Sequence, residues 1–461
     1  MTRNTLAPAS RRPRKASPVA FVRMCRRLLP ARVCPGSFRF RLFDPWTTFG
    51  LFLWQILEAH RTCREVLCKA QACIYLHHRR LISGNTSAYC QARARLALPF
   101  ILKVHQVLGV KIEKESRAWS LWHHRRVVIV DGSGLSMPDT PKNQAAYPQG
   151  RRQKRGCGFP VMRIVGVFSL ATGAWLSLAE GALSVSESTL FRSLWPSLRP
   201  HDVVLADRGF CSFAVLRLLA ERKIDCVMRL HARRSVGVRL LRRLSRGDLL
   251  VEWLRTPIRP SWMHPITWRH LPQTFPVRHL TVPMARRGFR TRSLAPVTTL
   301  LDAKAYPPRD IAELYLRRWK VELFLKDIKI TMGMDILRCK TPALIRKELW
   351  MHIVAYNLIR LLMAQASSRH GMDPFRISFS ATVSSFRQWF SLVSFNDPLF
   401  YPPFPCEAFL LCLTTHRVPC RPGRAEPRAV KRRPKNYQRL TQPRSIFHEV
   451  PHRNHYHAPL S

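Results

Sequence analysis

The sequence predicts an α/β protein in which a helical region precedes a mixed sheet and a β-rich segment is inserted into that sheet domain. Two apolar, β-branched runs at 126–131 and 203–207 have the composition of buried strands, and each finishes on an aspartate. Helical spacing of apolar residues alternates with further short apolar runs along the chain. Strands that alternate with helices usually form one sheet covered on both faces, and the pattern indicates this architecture.

The order of the elements makes the fold class more specific. Strands are predicted near 126–131, 161–170, 174–180, 203–207 and 224–230, with helices near 187–198 and 212–222 between them. Three paired strands followed by alternating helices and strands are typical of an RNase H-like fold. Residues 110–231 would form the first part of this core, and residues 297–412, with helices at 309–329 and 342–364, the second part.

Composition separates the remaining segments. We predict a disordered basic arm at 1–43, a helical DNA-binding domain at 44–109, a β-rich insertion at 232–296 and a basic tail at 413–461. In the helical domain, residues 87–95 place Arg93 and Arg95 on a short helix. This helix is either a solvated basic face or a helix that contacts DNA.

The overall composition restricts the class of protein. A hydrophobic fraction of 46% over 461 residues excludes a wholly disordered basic protein and allows two or three domains. The formal net charge of +50 indicates a surface that binds polyanions such as DNA, although structural nucleic-acid-binding proteins share this property. The 13 cysteines include no C-x-x-C pair, as is typical of reduced thiols. No apolar run is long enough to predict a membrane span, so no membrane partner is expected.

Two aspartates occupy comparable places at the ends of predicted strands. Asp131 and Asp207 each follow an apolar run and precede a glycine-containing turn. A buried strand has no use for a carboxylate unless something compensates its charge. The alternative is that each aspartate only starts a turn or caps the next helix.

A third candidate group lies on the predicted helix at 309–329. Arg318, Glu322 and Lys329 follow Tyr315 by three, seven and fourteen residues. On a continuous helix this spacing places all four side chains on one face. A carboxylate among cations suits a metal ion beside a phosphodiester, with Arg and Lys on the phosphate. The alternative is a solvated face with ordinary ion pairs.

The spacing Y-x-x-R-x-x-x-E, followed by Lys329, resembles the signature of insertion-sequence transposases of the "IS-four" type, which carry an Asp-Asp-Glu metal site. The phrases at 131–140 and 206–210 are also similar to that family. The resemblance implies that Asp131, Asp207 and Glu322 are the catalytic metal ligands. It implies equally that Tyr315, Arg318 and Lys329 contact the phosphates at the transposon end.

The same resemblance implies a reaction course. Transposases of this kind nick the 3′ end of their element, form and reopen a hairpin at its end, and join the 3′ end to target DNA. An insertion helps to form the hairpin by holding a flipped base on an aromatic ring. Trp253, Trp262 or Trp268 could be that ring, although core packing is the alternative for each of them.

Cofactors and partners follow from this chemistry. Three carboxylates repel one another unless divalent cations neutralise them, and oxygen ligands favour Mg²⁺, with Mn²⁺ as a substitute. Two such ions suit in-line phosphoryl transfer. The expected partners are the inverted repeats at the transposon ends, target DNA and a second copy of the chain, in the cytoplasm and nucleoid of a prokaryote. The rival hypotheses are an inactive DNA-binding descendant of a transposase and an RNase H-type metal nuclease.

Overall fold

The computed structural model describes residues 42–58, 61–78, 81–115, 120–149, 159–230, 237–283, 293–395 and 406–419. The predicted arm at 1–43 and the predicted tail at 413–461 lie almost entirely outside these residues. Helices and strands follow one another throughout the described part of the chain, as expected for an α/β protein.

The helices, numbered in chain order, are α1 (Pro45–Leu57), α2 (Cys63–His78), α3 (Ser87–Arg95), α4 (Leu98–Lys114), α5 (Pro141–Ala146), α6 (Glu187–Leu194), α7 (Phe213–Glu221), α8 (Pro265–His270), α9 (Pro308–Arg317), α10 (Lys320–Lys326), α11 (Pro342–His370), α12 (Phe379–Phe395) and α13 (Glu407–Thr415). Short 3-10 turns cover Trp195–Ser197 and Pro374–Arg376, and a π-helical turn covers Asp327–Thr331.

The strands are β1 (Val127–Ser136), β2 (Val161–Ser169), β3 (Trp175–Ala182), β4 (Val203–Ala206), β5 (Asp225–Arg229), β6 (Val238–Ser245), β7 (Asp248–Leu254), β8 (Thr274–Leu280), β9 (Val282–Pro283), β10 (Ser293–Leu294) and β11 (Pro296–Thr298). The strands predicted near 161–170, 174–180, 203–207 and 224–230 are therefore present, with small changes at their ends.

Nine of these strands form one mixed sheet in the order β3-β2-β1-β4-β5-β11-β8-β7-β6. The β1–β2 and β2–β3 pairs are antiparallel, whereas β4 is parallel to both β1 and β5. From β5 onward through β11, β8, β7 and β6 the pairs are again antiparallel. The fold is thus a mixed α/β sheet with parallel strands at its centre.

Alternate residues of the central strands face opposite sides of this sheet, which places helices on both faces. In β1, Val127 and Ile129 pack with the N-terminal helices and α11, whereas Val128 and Val130 pack with α6 and α7. Helix α11 is buried along most of its length, and α1 and α4 pack against it. The N-terminal helices therefore share a hydrophobic core with the sheet.

Local sequence explains where the first helix begins. The carboxylate of Asp44 accepts hydrogen bonds from the backbone amides of Trp46, at 2.8 Å, and Thr47, at 3.2 Å. Pro45 occupies the first helical position, where no backbone N–H is needed. Gly371 ends the long helix α11 in the left-handed conformation, with φ of 64°.

The segment at 232–296 extends the main sheet instead of standing apart from it. Its strands β6, β7 and β8 join the sheet through β11, which pairs with β5. A buried ion pair links two of these strands, since Arg278 donates to both carboxylate oxygens of Asp248, at 2.7 and 2.5 Å. Both side chains are almost fully buried. Continuity of the sheet fixes this segment relative to β4 and β5.

Candidate active site

Asp131 lies in the interior of β1, not at its end. The antiparallel partner β2 pairs with β1 as far as Ser136, and Asp131 is opposite Gly166. The parallel partner β4 separates earlier, because its last pair with β1 joins Leu205 to Ile129. The prediction that this strand ends at Asp131 was wrong, because the long β2 hairpin keeps β1 extended. Asp131 is two residues past the point where β1 loses its neighbour β4.

Asp207 follows the last residue of β4 directly, as the sequence indicated. Its carboxylate accepts a hydrogen bond from the backbone amide of Gly209, at 2.7 Å, which orders the turn. Because β1 and β4 are parallel neighbours, both aspartates emerge at the same edge of the sheet. Their proximity has an electrostatic effect: the charge of Asp207 is one of the causes that raise the pKa of Asp131.

The carboxyl group of Asp131 is strongly perturbed. Burial raises its pKa from 3.8 to about 6, although the backbone amide of Gly132 and the charge of Arg318 act in the opposite direction. The charges of Asp207 and Glu187 raise it further. Burial is therefore the main cause of the raised pKa, and two further carboxylates lie close enough to add to it.

Glu187 is a member of this acidic group that the sequence analysis missed. It is the first residue of α6, and Gly132 leaves room for it, because a Cβ atom at position 132 would lie 2.6 Å from the Glu187 carboxyl carbon. Glu187 forms no ion pair with any residue that the structure describes. An acidic residue in the first turn of a helix is common because the positive end of the helix dipole stabilises its charge. Nothing in the sequence therefore distinguished Glu187.

The prediction of one continuous helix over 309–329 was also wrong. Helix α9 ends at Arg317, α10 begins at Lys320, and a π-helical turn starts at Asp327. At the break the amides of Arg318 and Trp319 bond to the carbonyls three residues earlier, at 3.0 and 3.3 Å. Bonds of this kind tighten the backbone, so a regular helical face does not continue through it.

Tyr315 and Arg318 remain together on the inner side of the break. Tyr315 is buried, which raises the pKa of its hydroxyl to about 12, and its partner is the side chain of Arg318. The Arg318 side chain is only 11% exposed. Its Nε atom is buried and has no hydrogen-bond partner among the described residues. A buried, unsatisfied donor beside two carboxylates is suited to an anionic ligand.

Glu322 and Lys329 diverge from that pair. The Glu322 side chain is 64% exposed, and its Oε1 lies 4.0 Å from the Arg318 guanidinium. Lys329 lies in the π-helical turn and donates to Ser133 Oγ, at 2.9 Å, and to the Gly134 carbonyl, at 3.0 Å. Its ammonium group is thus placed against β1, just beyond Asp131.

The structure brings together Asp131, Asp207, Tyr315 and Arg318, whereas the Glu322 side chain is exposed and does not complete a group of three carboxylates with the two aspartates. Within the described ranges, no three acidic, histidine or cysteine side chains are close enough to hold a metal ion as they stand. Asp131 and Asp207 are the two predicted carboxylates that the backbone already places at one edge.

The other predicted contacts are more buried than expected. Arg93 of α3 is buried, with its guanidinium 4.9 Å from the centre of the Phe52 ring, so it is not part of a surface for DNA, whereas Arg95 is exposed. Trp253 and Trp268 are core residues. Trp262 is half-buried and packs edge-on against Trp195, at 6.1 Å between ring centres.

Comparison with known protein families matches residues 122–358 to the family described as the transposase DDE domain. This is more than half of the chain, and it includes β1, β4 and the Glu322 helix. The chain therefore belongs to the DDE transposase family.

Individual relatives make the assignment narrower. The chain is 27% identical over 363 residues to the transposase InsG of insertion sequence element IS4 from Escherichia coli (strain K12), which covers 76% of this chain and 77% of that protein. It is 24% identical over 178 residues to the putative transposase InsZ of the same strain, across 35% of this chain and 59% of that protein. The chain is an IS4-family transposase, and the resemblance of its signature is confirmed.

Among solved structures, the piggyBac transposase synaptic complex with hairpin DNA matches at a TM-score of 0.41 and 10% identity, covering 87% of this chain and 82% of that one. Within the described part of the chain, no helix is long and apolar enough to cross a membrane.

Proposed function

We propose that this transposase is active, that it cleaves DNA at the inverted repeats of its element and that it joins the 3′ ends to target DNA. The observation that carries the proposal is the placement of Asp131 and Asp207 at one sheet edge beside the buried Arg318 guanidinium. A scaffold protein has no need to hold a half-buried carboxylate whose pKa is raised by burial and, further, by two neighbouring carboxylates.

The proposed core is RNase H-like. The strand order β3-β2-β1-β4-β5 supports it, because three antiparallel strands are followed by two parallel ones. One acid then lies on the central strand β1 and the second directly after β4. Residues 44–109 are proposed as the DNA-binding helices and 232–296 as the insertion, with 297–412 completing the core.

The residues at the sheet edge fit a divalent cation. All the donors are carboxylate oxygens, which favour Mg²⁺ or Mn²⁺ over zinc. Burial raises the pKa of Asp131 and the charge of Asp207 raises it further, and a bound cation would favour the ionised form of both carboxyl groups. Asp131 and Asp207 would hold the ion, and rotation of the exposed Glu322 side chain would supply the third carboxylate. When bound, two ions would supply charge neutralisation at phosphorus and activation of the attacking hydroxyl.

The neighbouring side chains have separate tasks in this proposal. Arg318 offers its unsatisfied Nε–H to a phosphate oxygen of the DNA. Tyr315 stays protonated at neutral pH because its pKa is about 12, so its hydroxyl can donate a hydrogen bond but does not act as a base. Lys329 places positive charge beside β1 for the adjoining phosphate.

Hairpin ends and a homodimer complete the proposal. Support for the hairpin comes from the Tyr315, Arg318, Glu322 and Lys329 signature of the IS4 family. Support for a dimer is the need to hold two transposon ends together. A net charge of +50 supports DNA as the partner, in the nucleoid, through contacts that weaken with salt.

The test uses linear DNA that carries the inverted repeats flanking the gene, with Mg²⁺, Mn²⁺, Ca²⁺ or EDTA. Wild type is compared with Glu322→Gln, and Glu313→Gln is the control because Glu313 is an exposed glutamate on the preceding helix. Denaturing gels should show metal-dependent hairpins at the repeat boundary for wild type and the control only. Tight binding without cleavage would indicate an inactive descendant, and cleavage that ignores the repeats would indicate a nuclease.

A further inference from the structure

A chain of hydrogen bonds connects α3 with the turn that holds Lys329. Its first part is buried between α1 and α3. The side-chain oxygen of Gln55 accepts from the Tyr89 hydroxyl, at 2.9 Å, and from the Arg93 guanidinium, at 3.0 Å. All three side chains are at least nine-tenths buried. Both donors of α3 are therefore fixed to one residue of α1.

The second part leads from α1 to the distant turn. Gln55 Nε2 donates to the backbone carbonyl of Arg61, at 3.0 Å. The Arg61 guanidinium donates to the carbonyls of Met332, at 2.6 Å, and Gly333, at 2.7 Å. The approach is close enough that a Cβ atom at position 333 would collide with the guanidinium. Gly333 also has a positive φ of 64°, which glycine tolerates best.

Met332 and Gly333 belong to the same closed turn as Lys329. The amide of Met332 bonds to the carbonyl of Asp327, at 3.0 Å, and the amide of Asp335 to the carbonyl of Lys329, at 3.4 Å. The Lys329 ammonium in turn contacts Ser133 in β1. A shift of the carbonyls that Arg61 holds would therefore move the ammonium group at the sheet edge.

Arg61 is a costly choice for packing alone. Burial and the charges of Arg338 and Arg387 lower its pKa, although the charges of Glu348 and Asp335 act in the opposite direction. Its backbone has a positive φ of 55°, a conformation that non-glycine residues adopt at some cost in energy. An apolar side chain would fill the same half-buried space without removing a charge partly from water. The arrangement is better explained by the placement of the two carbonyls.

We propose that Gln55 and Arg61 are positioning residues that couple the N-terminal helices to Lys329. The inference rests on the proposed function, because Lys329 is expected to contact a phosphate at the transposon end. Binding of DNA to the helical region would then be tied to the geometry of the active site. Loss of Arg61 should affect the cleavage step more than the affinity for DNA.

The experiment compares Arg61→Met with Arg64→Met, which removes the same charge from an exposed arginine three residues later. Affinity for repeat DNA and single-turnover cleavage are measured on the same preparations. Modification of the Lys329 amine by an acylating reagent, followed by mass spectrometry, reports on the turn without any need for cleavage. This third readout separates failure of the inference from failure of the proposed function.

For Arg61→Met we expect a loss of DNA affinity no larger than that of Lys329→Met, cleavage slower by about tenfold or more, and faster acylation of Lys329. Arg64→Met should leave Lys329 acylation as in wild type. The inference would be overturned if Lys329 were acylated in Arg61→Met at the wild-type rate. It would also be overturned if Arg61→Met and Arg64→Met changed the acylation rate equally. If Arg61→Met does not fold, Arg61→Lys replaces it. The lysine ammonium ends one bond short of the Arg61 Nη1 that donates to both carbonyls, so the turn must shift for both bonds to form. Acylation should then still exceed that of wild type, and an unchanged rate would overturn the inference.

Discussion

Replacement of Asp131 by asparagine should stabilise the metal-free protein at neutral and higher pH. The folded protein holds this carboxyl with a pKa of about 6, whereas its ordinary value is 3.8. Above pH 6 the folded state must carry a buried carboxylate at full cost. Between about pH 4 and pH 6 the unfolded chain is ionised and the folded protein keeps its proton, so the cost falls as the pH is lowered. Below the ordinary pKa it disappears.

The size of the effect follows from the two pKa values. At 1.36 kcal/mol for each tenfold change in the ionisation constant, a pKa of about 6 in place of 3.8 corresponds to about 3 kcal/mol. This is an upper bound on the gain in the free energy of unfolding for Asp131→Asn in EDTA above pH 6. Mg²⁺ should reduce the gain, because at a hundredfold excess over its dissociation constant a ligand stabilises wild type by about 2.7 kcal/mol.

The assay is urea unfolding followed by fluorescence at several pH values, in EDTA and in Mg²⁺. Asp139→Asn is the matched control, because Asp139 is an exposed aspartate eight residues further along the chain and the substitution removes the same charge. The reasoning would be refuted if Asp131→Asn were less stable than wild type at pH 8 in EDTA. A gain that did not change across the acidic range would refute it as well.

Other substitutions test neighbouring parts of the structure. Gly132→Ala should lower cleavage strongly, because its new methyl group would collide with the Glu187 carboxylate. Gly109→Ala is the control, because a methyl group there meets no atom within 4 Å, and it should cleave as wild type does on the same gels. Lys329→Met should reduce the slope of log affinity against log salt by about one, as measured by anisotropy titrations, and an unchanged slope would exclude a phosphate contact. Arg278→Met should lower the free energy of unfolding by about 3–5 kcal/mol in urea titrations, because it leaves its buried carboxylate partner unpaired; a loss below about 1 kcal/mol would contradict this account.

The sequence predicted those parts of the candidate site that lie next to a recognisable local pattern. Asp131 and Asp207 each follow a short apolar run, and a buried strand is recognisable from such a run alone. Their place at one sheet edge then follows from the parallel pairing of β1 with β4. The family signature predicted Tyr315 and Arg318 as site residues, and both lie near the two aspartates although their helix is not continuous.

Features that depend on distant contacts could not be predicted. At the break after Arg317 the backbone amides bond to the carbonyl three residues earlier instead of four. The sequence spacing is compatible with either hydrogen-bond pattern. Burial of Arg93 depends on an acceptor supplied by Gln55, 38 residues earlier. The position of Glu187 depends on the absence of a side chain at Gly132. None of these features leaves a periodic pattern in the sequence.

We propose that Asp131, Asp207 and Glu322 form one metal site. Its most direct test is the binding of Mn²⁺ in the presence of repeat DNA, followed through the electron paramagnetic resonance signal of the free ion. Asp131→Asn, Asp207→Asn and Glu322→Gln should each weaken binding, whereas Glu313→Gln should bind as wild type does. Wild-type binding of Mn²⁺ by Glu322→Gln would contradict the claim, because the exposed carboxylate would then not complete the site.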